Sequence, residues 1–459
     1  MLRSNIDGII WPALVGPRSA RMLAVLFQLE QSQWWPLAKT TGHQFRQLHA
    51  LLAHAVQTVP YYRDRCRGIT PALDSETDSE QWRRIPLLKR PDVQQHEQAL
   101  ASAQIPETHG KTHTLHTSGS TGRPVRVQGT RLTDFFWQVF TLREHLWQRR
   151  DFAGRLAAIR FVPDNKAGYP GVAAQSWGPA TSVMNGTGPA FLLNSATDIS
   201  QQAAWLLDKN PDYLLSYPSN LAALATHFLK SGQQLSRLRQ VRTMGEVLAA
   251  DFRALCRQAW NVPVADVYSA QELGSIALQC PEHEENYHVQ SENLLVEVLD
   301  DANEPCRPGE TGRVVVTTLH NYAMPLIRYE VGDYAEVGEA CPCGRGLPVL
   351  RRILGRVRNL LTMPNGEKQW PYMGIMKFTE IAPVKQFQMI QRSLEHIELR
   401  LAVDRPLNND EEEKLTELVQ RALSHPFRIT FSYLPEIPRS PSGKFEDFVS
   451  EVTTQAVRL

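Results

Sequence analysis

Thr117-Ser118-Gly119-Ser120-Thr121-Gly122-Arg123-Pro124 sets hydroxyls and glycines side by side between two apolar stretches. Glycine lets the main chain bend until successive N–H groups converge, and the hydroxyls add donors. Such a run suits a concave seat for phosphate oxygens. It is not a Walker loop, because the closing Gly-Lys-Ser/Thr is missing. Alone, the same composition also suits a flexible polar linker, so its reading depends on what accompanies it.

Outward from this run the chain alternates between two periodicities. Upstream, Phe45, Leu48, Leu52 and Ala55 fall at helical spacing and predict a surface helix that ends before Pro60. Downstream, Arg155 to Val162, Tyr213 to Ser216 and Val262 to Tyr268 read as short strands. Helical segments near Leu221 to Leu229 and Asp251 to Trp260 separate them. Strands alternating with helices predict an α/β body. After Arg356 the pattern changes. Phe387 to Ile390 and the alternating Ile397, Leu399, Leu401, Val403 read as two strands. A helix follows, opening on Asp410 to Glu413 and carrying Leu415, Leu418, Val419 and Ala422, and then a strand with Ile429, Phe431 and Tyr433. The predicted architecture is a large N-terminal α/β domain of sheets and helices over residues 1–354. A small, mobile C-terminal α+β domain over 355–459 completes it, about the size of a compact domain.

Length and composition agree with this picture. A chain of 459 residues with 42% hydrophobic content can bury a sizeable core. With 49 basic and 48 acidic side chains, net +1, it has no bias toward nucleic acid, and a compact metabolite is the expected ligand. The apolar patches Ile9 to Val15 and Met22 to Leu29 are too short to span a bilayer, and Trp11, Trp34 and Trp35 are expected to pack on the body of the protein. The six cysteines are not spaced as a disulfide framework, which predicts a reducing, cytoplasmic setting.

Two of the cysteine contexts look like halves of one metal site. Cys280-Pro281-Glu282-His283 precedes Cys341-Pro342-Cys343-Gly344, and three thiolates with one imidazole match the soft, tetrahedral preference of Zn²⁺. Cys280, His283, Cys341 and Cys343 are the expected ligands, with His288 the alternative nitrogen donor and ordinary buried thiols the other reading. A closed four-ligand site leaves no open position for water, so its role would be structural.

Five further runs carry polar chemistry in order: Met244-Gly245-Glu246-Val247, Asp266-Val267-Tyr268-Ser269-Ala270-Gln271-Glu272-Leu273-Gly274, Ala323 to Asp333, Gly355-Arg356-Val357-Arg358-Asn359, and Pro438-Arg439-Ser440-Pro441-Ser442-Gly443-Lys444-Phe445. A carboxylate at a strand end, as at Glu272, can hold Mg²⁺. An ionised carboxylate such as Asp333 can accept from a pair of hydroxyls. Read singly, Glu272 is a surface acid, Asp333 a turn cap and Lys444 a solubilising charge.

Taken with Thr117 to Gly122, these runs resemble the phenylacetate-CoA ligase family of adenylate-forming enzymes and its capsule-cluster relatives, from about Gln44 to the C-terminus. The resemblance implies a nucleotide site made by Thr117, Ser118, Gly119, Ser120, Thr121, Gly122, Gly245, Glu246, Asp266, Tyr268, Asp333 and Arg356. In it Tyr268 stacks on adenine and Asp333 holds the ribose. Glu272 holds Mg²⁺, and Lys444 is the catalytic cation, brought in by the C-terminal domain. The chain departs from the family at the hinge, where an aspartate is usual and Arg358 and Asn359 stand here.

The implied activity is ATP-dependent activation of a small carboxylic acid as acyl-AMP, followed by thioester formation with coenzyme A. The resemblance favours an aryl or arylacetic acid. Phe135, Phe136, Trp137, Phe140, Trp147 and Trp177 to Gly188 could wall such a pocket or could be core. Two alternatives stay open: transfer of the acyl or adenylyl group to an amine, hydroxyl or carrier protein, and a catalytically silent zinc-stabilised homologue. No nucleic-acid partner and no transmembrane segment are expected, and a homodimer is among the assemblies open to it.

Overall fold

The computed structural model describes residues 2–66, 81–116, 124–249, 251–356, 359–371, 373–440 and 444–452. Thr117 to Gly122, Arg358, Ser442 and Gly443 lie outside the described residues.

Among the described residues the strands are β1 (Thr112–His116), β2 (Arg126–Thr130), β3 (Leu156–Arg160), β4 (Val172–Ala174), β5 (Ala190–Asn194), β6 (Tyr213–Ser216) and β7 (Gln240–Met244). They continue as β8 (Val264–Ala270), β9 (Gly274–Gln279), β10 (Tyr287–Val289), β11 (Leu294–Leu299), β12 (Thr311–Thr318), β13 (Tyr329–Val337) and β14 (Val349–Arg356). The last are β15 (Leu361–Thr362), β16 (Lys368–Gln369), β17 (Val384–Ser393), β18 (His396–Val403), β19 (Arg428–Tyr433) and β20 (Phe448–Ser450). The longer helices are α1 (Pro17–Ser32), α2 (Leu37–Thr58), α3 (Arg131–Trp147), α4 (Ile199–Lys209), α5 (Pro218–Ser231), α6 (Phe252–Trp260) and α7 (Asn409–Leu423). The fold is mixed α/β, as the alternation of strands and helices predicts.

The chain forms two compact units. One comprises Met1–Arg155, Ala174–Ala190 and Ala265–Ile353; the other comprises Leu156–Ala173, Phe191–Val264 and Leu354–Leu459.

In the first unit the strand order is β11-β12-β13-β14-β10-β9-β8, with β1 and β2 forming a separate antiparallel hairpin. The helical stripe around Phe45 is realised in α2, which buries Leu48, Leu51, Leu52 and Ala55 in one core with Ile276, Val314, Val316 and Tyr329. The helix stops where Pro60 follows Val59, because a residue before proline is pushed out of the helical region. Phe140, Trp147 and Trp177 are buried, whereas Trp11 is 81% exposed and Trp34 47% exposed. The expectation that Trp11, Trp34 and Trp35 pack on the body is therefore corrected for Trp11 and Trp34, while Trp35 is half-buried. The Trp11 segment turns back at Asn5 N–H to Leu14 O (2.7 Å), which leaves Ile6, Ile9, Ile10 and Trp11 facing outward.

In the second unit the order is β7-β6-β3-β5-β4, and β3, β6 and β7 run parallel. β6 is buried at every position, as a parallel strand covered on both faces must be. Its cover includes Leu206, Leu221, Leu224, Phe228, Phe252 and Leu255 from α4, α5 and α6.

The C-terminal sheet of this unit has the order β19-β18-β17-β20. The two predicted strands form the antiparallel pair β17–β18, and the predicted third joins as β19, parallel to β18. A fourth strand, β20, pairs parallel with β17 through Met389 and Phe448. It is three residues long and carries no alternation, which is why periodicity misses it. Asn408 and Glu411 close a capping box at the start of α7 (both contacts 2.9 Å), and Leu415, Val419 and Leu423 face the core with Phe378, Phe387, Met389 and Phe427. Phe378 stacks on Phe387 with centroids 4.2 Å apart. Phe378→Ala is expected to cost about 3–5 kcal/mol through lost burial and a cavity. Denaturant unfolding would register this as a lower midpoint with unchanged slope.

Among the described residues no helix is long and apolar enough to cross a membrane.

Candidate functional site

In the first unit a pair of irregular strands presents the predicted nucleotide-binding side chains. The β12–β13 register slips between Arg313 and Val315, and opposite the slip Gly332 takes φ +91°. That conformation suits a residue without Cβ, and the resulting bulge re-aims the next side chain. The next residue is Asp333. Its Oδ2 accepts from the Tyr268 hydroxyl at 2.9 Å. Tyr268 sits at a second slip, between β8 and β9. Asp266, two residues earlier, accepts from the Tyr287 hydroxyl at 2.9 Å. Glu272 lies in the turn joining β8 to β9. Sequence order alone separates Tyr268 from Asp333 by sixty-five residues, and the sheet brings them into contact.

The aromatic residues suggested as a pocket wall divide. Phe140 and Trp147 are core, while Phe136 stacks on His320 with centroids 4.2 Å apart. Burial, with His109 nearby, holds the His320 imidazole down to about 4. A Cβ built on Gly274 would meet the Trp137 ring at 3.9 Å.

Gly245, Glu246, Arg356 and Lys444 belong to the second unit. Gly245 takes φ +79°, and a Cβ built there would lie 3.3 Å from Lys444 Cε and 3.5 Å from the Tyr217 ring. The lysine stem therefore runs beside the Gly-Glu turn. Glu246 is a stronger feature than its sequence context suggested. Its carboxylate accepts from the N–H groups of Ser219 (3.0 Å) and Phe445 (2.6 Å) and lies 3.8 Å from Arg439 Nη1. Burial pushes its pKa up, against the pull of Arg439. Arg356 N–H donates to Asn359 Oδ1 (3.0 Å), and Asn359 Nδ2 donates to Phe448 O (2.6 Å), so this segment is tied to β20.

A separate cluster in the first unit can hold a metal. Cys280, His288, Cys341 and Cys343 place their donor atoms within 4.8 Å of one another. The Cys280 and Cys341 sulfurs are 3.8 Å apart, and Cys343 Sγ is 3.4 Å from His288 Nε2. A tetrahedral ion with metal–sulfur bonds of about 2.3 Å sets its sulfurs about 3.8 Å apart, so the spacing fits. Asn286 Nδ2 donates to Cys341 Sγ at 3.2 Å and Glu282 N–H to Cys280 Sγ at 3.5 Å, the outer donors a thiolate needs.

The nitrogen donor in the cluster is His288, the alternative the sequence offers to His283. His283 turns its backbone N–H toward the Cys280 sulfur, so it serves the knuckle with its main chain. His288 projects from β10, whose neighbours in the sheet are β9, ending before Cys280, and β14, starting after Cys343. Strand order therefore selects the imidazole. Burial, with Arg345 nearby, holds the His288 pKa down to about 4, leaving the neutral, ligating form at pH 7.

Residues 373–451 match a family model described as the CapK C-terminal domain. The chain is 27% identical over 392 residues to a phenylacetate-coenzyme A ligase of Thermus thermophilus, covering 81% of this chain and 83% of that one. This chain is thus similar in sequence to phenylacetate-CoA ligases. A second, from Pseudomonas putida, is 23% identical over 373 residues, 78% of this chain and 81% of that one. Among solved structures, 2-hydroxyisobutyryl-CoA ligase in its postadenylation state, in complex with R3-HIB-AMP, aligns with a TM-score of 0.72 at 18% identity, over 94% of this chain and 93% of the other. The fold is therefore that of the adenylate-forming CoA ligases.

Proposed function

We propose that this protein joins a small carboxylic acid to coenzyme A through an acyl-AMP. In the first half-reaction a substrate carboxylate oxygen attacks the α-phosphorus of ATP and the bond to the β-phosphate oxygen breaks, releasing pyrophosphate. In the second, the thiol sulfur of coenzyme A attacks the acyl carbon and AMP leaves. Because the substrate is its own nucleophile, the protein has to orient it and offset negative charge developing on the phosphates.

The observation that carries this reading is the Tyr268–Asp333 pair, an aromatic face joined to a carboxylate by a 2.9 Å hydrogen bond on a bulged strand. An adenosine fits that pair, with the base on the ring and the ribose hydroxyls donating to Asp333. The assigned roles extend to Gly245 and Glu246 beside the base, and to Arg356 and Lys444 as phosphate-facing cations. Glu272 is the proposed carboxylate for Mg²⁺, which when bound screens phosphate charge. The segment from Arg356 to Asn359 is the proposed pivot between residues 1–354 and 355–459. Tyr268→Phe, which removes only the hydroxyl, is expected to raise the KM for ATP about tenfold, the low end of the weight of one hydrogen bond to a charged group. Equal KM values for the two proteins would remove the hydroxyl from ATP binding.

The four-residue cluster is proposed to bind Zn²⁺ structurally, since three sulfurs and a neutral imidazole fill a tetrahedron. A reducing cytoplasm is the proposed setting, in keeping with six free thiols. An aryl or arylacetic acid is the proposed substrate, supported by Phe136, Trp137 and His320 and by similarity to phenylacetate-CoA ligases.

The deciding experiment is ATP/pyrophosphate exchange across a panel of carboxylic acids, followed by product capture with and without coenzyme A. The proposal expects exchange with at least one aryl acid and a thioester that requires coenzyme A. Exchange without thioester would move the acceptor to an amine, hydroxyl or carrier protein. No exchange with any acid would leave a silent homologue.

A further inference from the structure

The proposed catalytic lysine sits on a segment that a buried carboxylate grips from beneath. Ser440 N–H donates to Lys444 O (2.9 Å), and Lys444 N–H donates to Ser440 Oγ (3.2 Å). The next amide, Phe445 N–H, donates to Glu246 Oε1 at 2.6 Å. On the other side of the loop Arg439 donates to Ser219 Oγ at 2.8 Å and lies 3.8 Å from the same Glu246 oxygen. The second oxygen of Glu246 accepts from Ser219 N–H, in the first turn of α5, where an anion is favoured. The Glu246 side chain is 5% exposed and that of Arg439 15%.

A carboxylate this deep is costly to bury unless its oxygens are met by donors and a cation. Of the groups meeting Glu246, Phe445 N–H and the Arg439 guanidinium belong to the lysine loop. Carboxylate and loop therefore depend on each other, because withdrawing the loop strips Glu246 of both. Burial and the acidic neighbours Glu246, Asp251 and Glu446 push the Asp447 pKa up to about 7, against the pull of Arg439. Arg439 thus offsets both Glu246 and Asp447.

We propose that Glu246 is a positioning residue: it anchors the main chain on both sides of Lys444, through Phe445 N–H and Arg439, and so sets the lysine for the adenylation half-reaction. This rests on the adenylate-forming reading for its catalytic half, while the anchoring itself can be measured without it. Glu246→Gln removes the charge that Arg439 faces but keeps the shape. Arg439→Gln removes the cation that faces Glu246 from a partly exposed site and leaves the core intact.

Limited trypsin digestion reads the anchor directly. Cleavage after Lys444 is expected to speed up about tenfold in both variants, because a loop released from its contacts opens more often. Activity is then split with two probes: pyrophosphate exchange with phenylacetate, and thioester formation from supplied phenylacetyl-adenylate and coenzyme A. Exchange is expected to fall about tenfold or more in both, and in Arg439→Gln, whose residue lies outside the assigned nucleotide site, thioester formation is expected to stay unchanged. Unaltered cleavage after Lys444 in both variants, or equal loss of the two half-reactions, overturns the proposal. A wild-type protein that exchanges with no acid overturns the adenylate-forming reading instead, and the digestion still decides whether Glu246 holds the loop.

Discussion

Lys444→Ala is expected to lower ATP/pyrophosphate exchange by about 10²–10³-fold, the usual cost of removing one preorganised group facing developing negative charge. Thioester formation from supplied acyl-adenylate should survive. The asymmetry follows from the chemistry of the two steps. In the first, the α-phosphate gains charge as pyrophosphate departs, and a cation lowers that barrier. In the second, charge gathers on the acyl oxygen and the departing AMP, after pyrophosphate has already left. The lysine stem runs past Gly245, where a Cβ would lie 3.3 Å from its Cε, and its backbone N–H is held by Ser440 Oγ. Circular dichroism of the variant should match the parent, because the side chain contributes little burial. Equal loss of both half-reactions would take the role away from Lys444.

Cys341→Ser is expected to have the largest effect on stability. A closed site of three thiolates and one imidazole contributes its metal affinity to folding, a term on the order of 10 kcal/mol for structural zinc. Replacing one thiolate removes much of it. The predicted result is less than one equivalent of zinc by elemental analysis and a melting temperature lowered by about 10 °C or more, given that each kcal/mol shifts a domain of this size by a few degrees. Strong chelators should reproduce the effect in the parent protein. His283→Ala should leave zinc content unchanged, whereas His288→Ala should lower it, since only His288 among these two reaches the sulfurs. Parent protein prepared without chelator and free of zinc would refute the assignment.

The two cysteine pairs are legible in the sequence because each presents two donors close together. The histidine is not, because choosing it requires the position of β10 between β9 and β14, a long-range pairing that spacing cannot encode. Elsewhere the same division holds. Alternation at Ile397 to Val403 and the acidic start of α7 mark local structure, and the corresponding elements appear where those signals lie. Tyr268 and Asp333 were named from their runs, but their hydrogen bond depends on bulges in two different strands. Gly245-Glu246 is a weak signal in the sequence, since a Gly-Glu pair is common in turns; the weight of Glu246 comes from Ser219, Arg439 and Phe445, each far away in the chain. Trp11 illustrates the opposite error. Apolar composition predicted cover, and the Asn5–Leu14 closure turns that segment outward.

The short strand β20 sits beside β17, and β19 ends at Tyr433 on the far side of the same sheet. Both stems of the intervening stretch are thus pinned to a framework whose own apolar residues lie elsewhere. Ile437 within the stretch is buried and donates its N–H to Gln386 Oε1 (2.9 Å), so only substitutions at its exposed positions should cost the framework little. A lineage could accordingly vary the exposed positions of the lysine-bearing stretch while the scaffold stays folded.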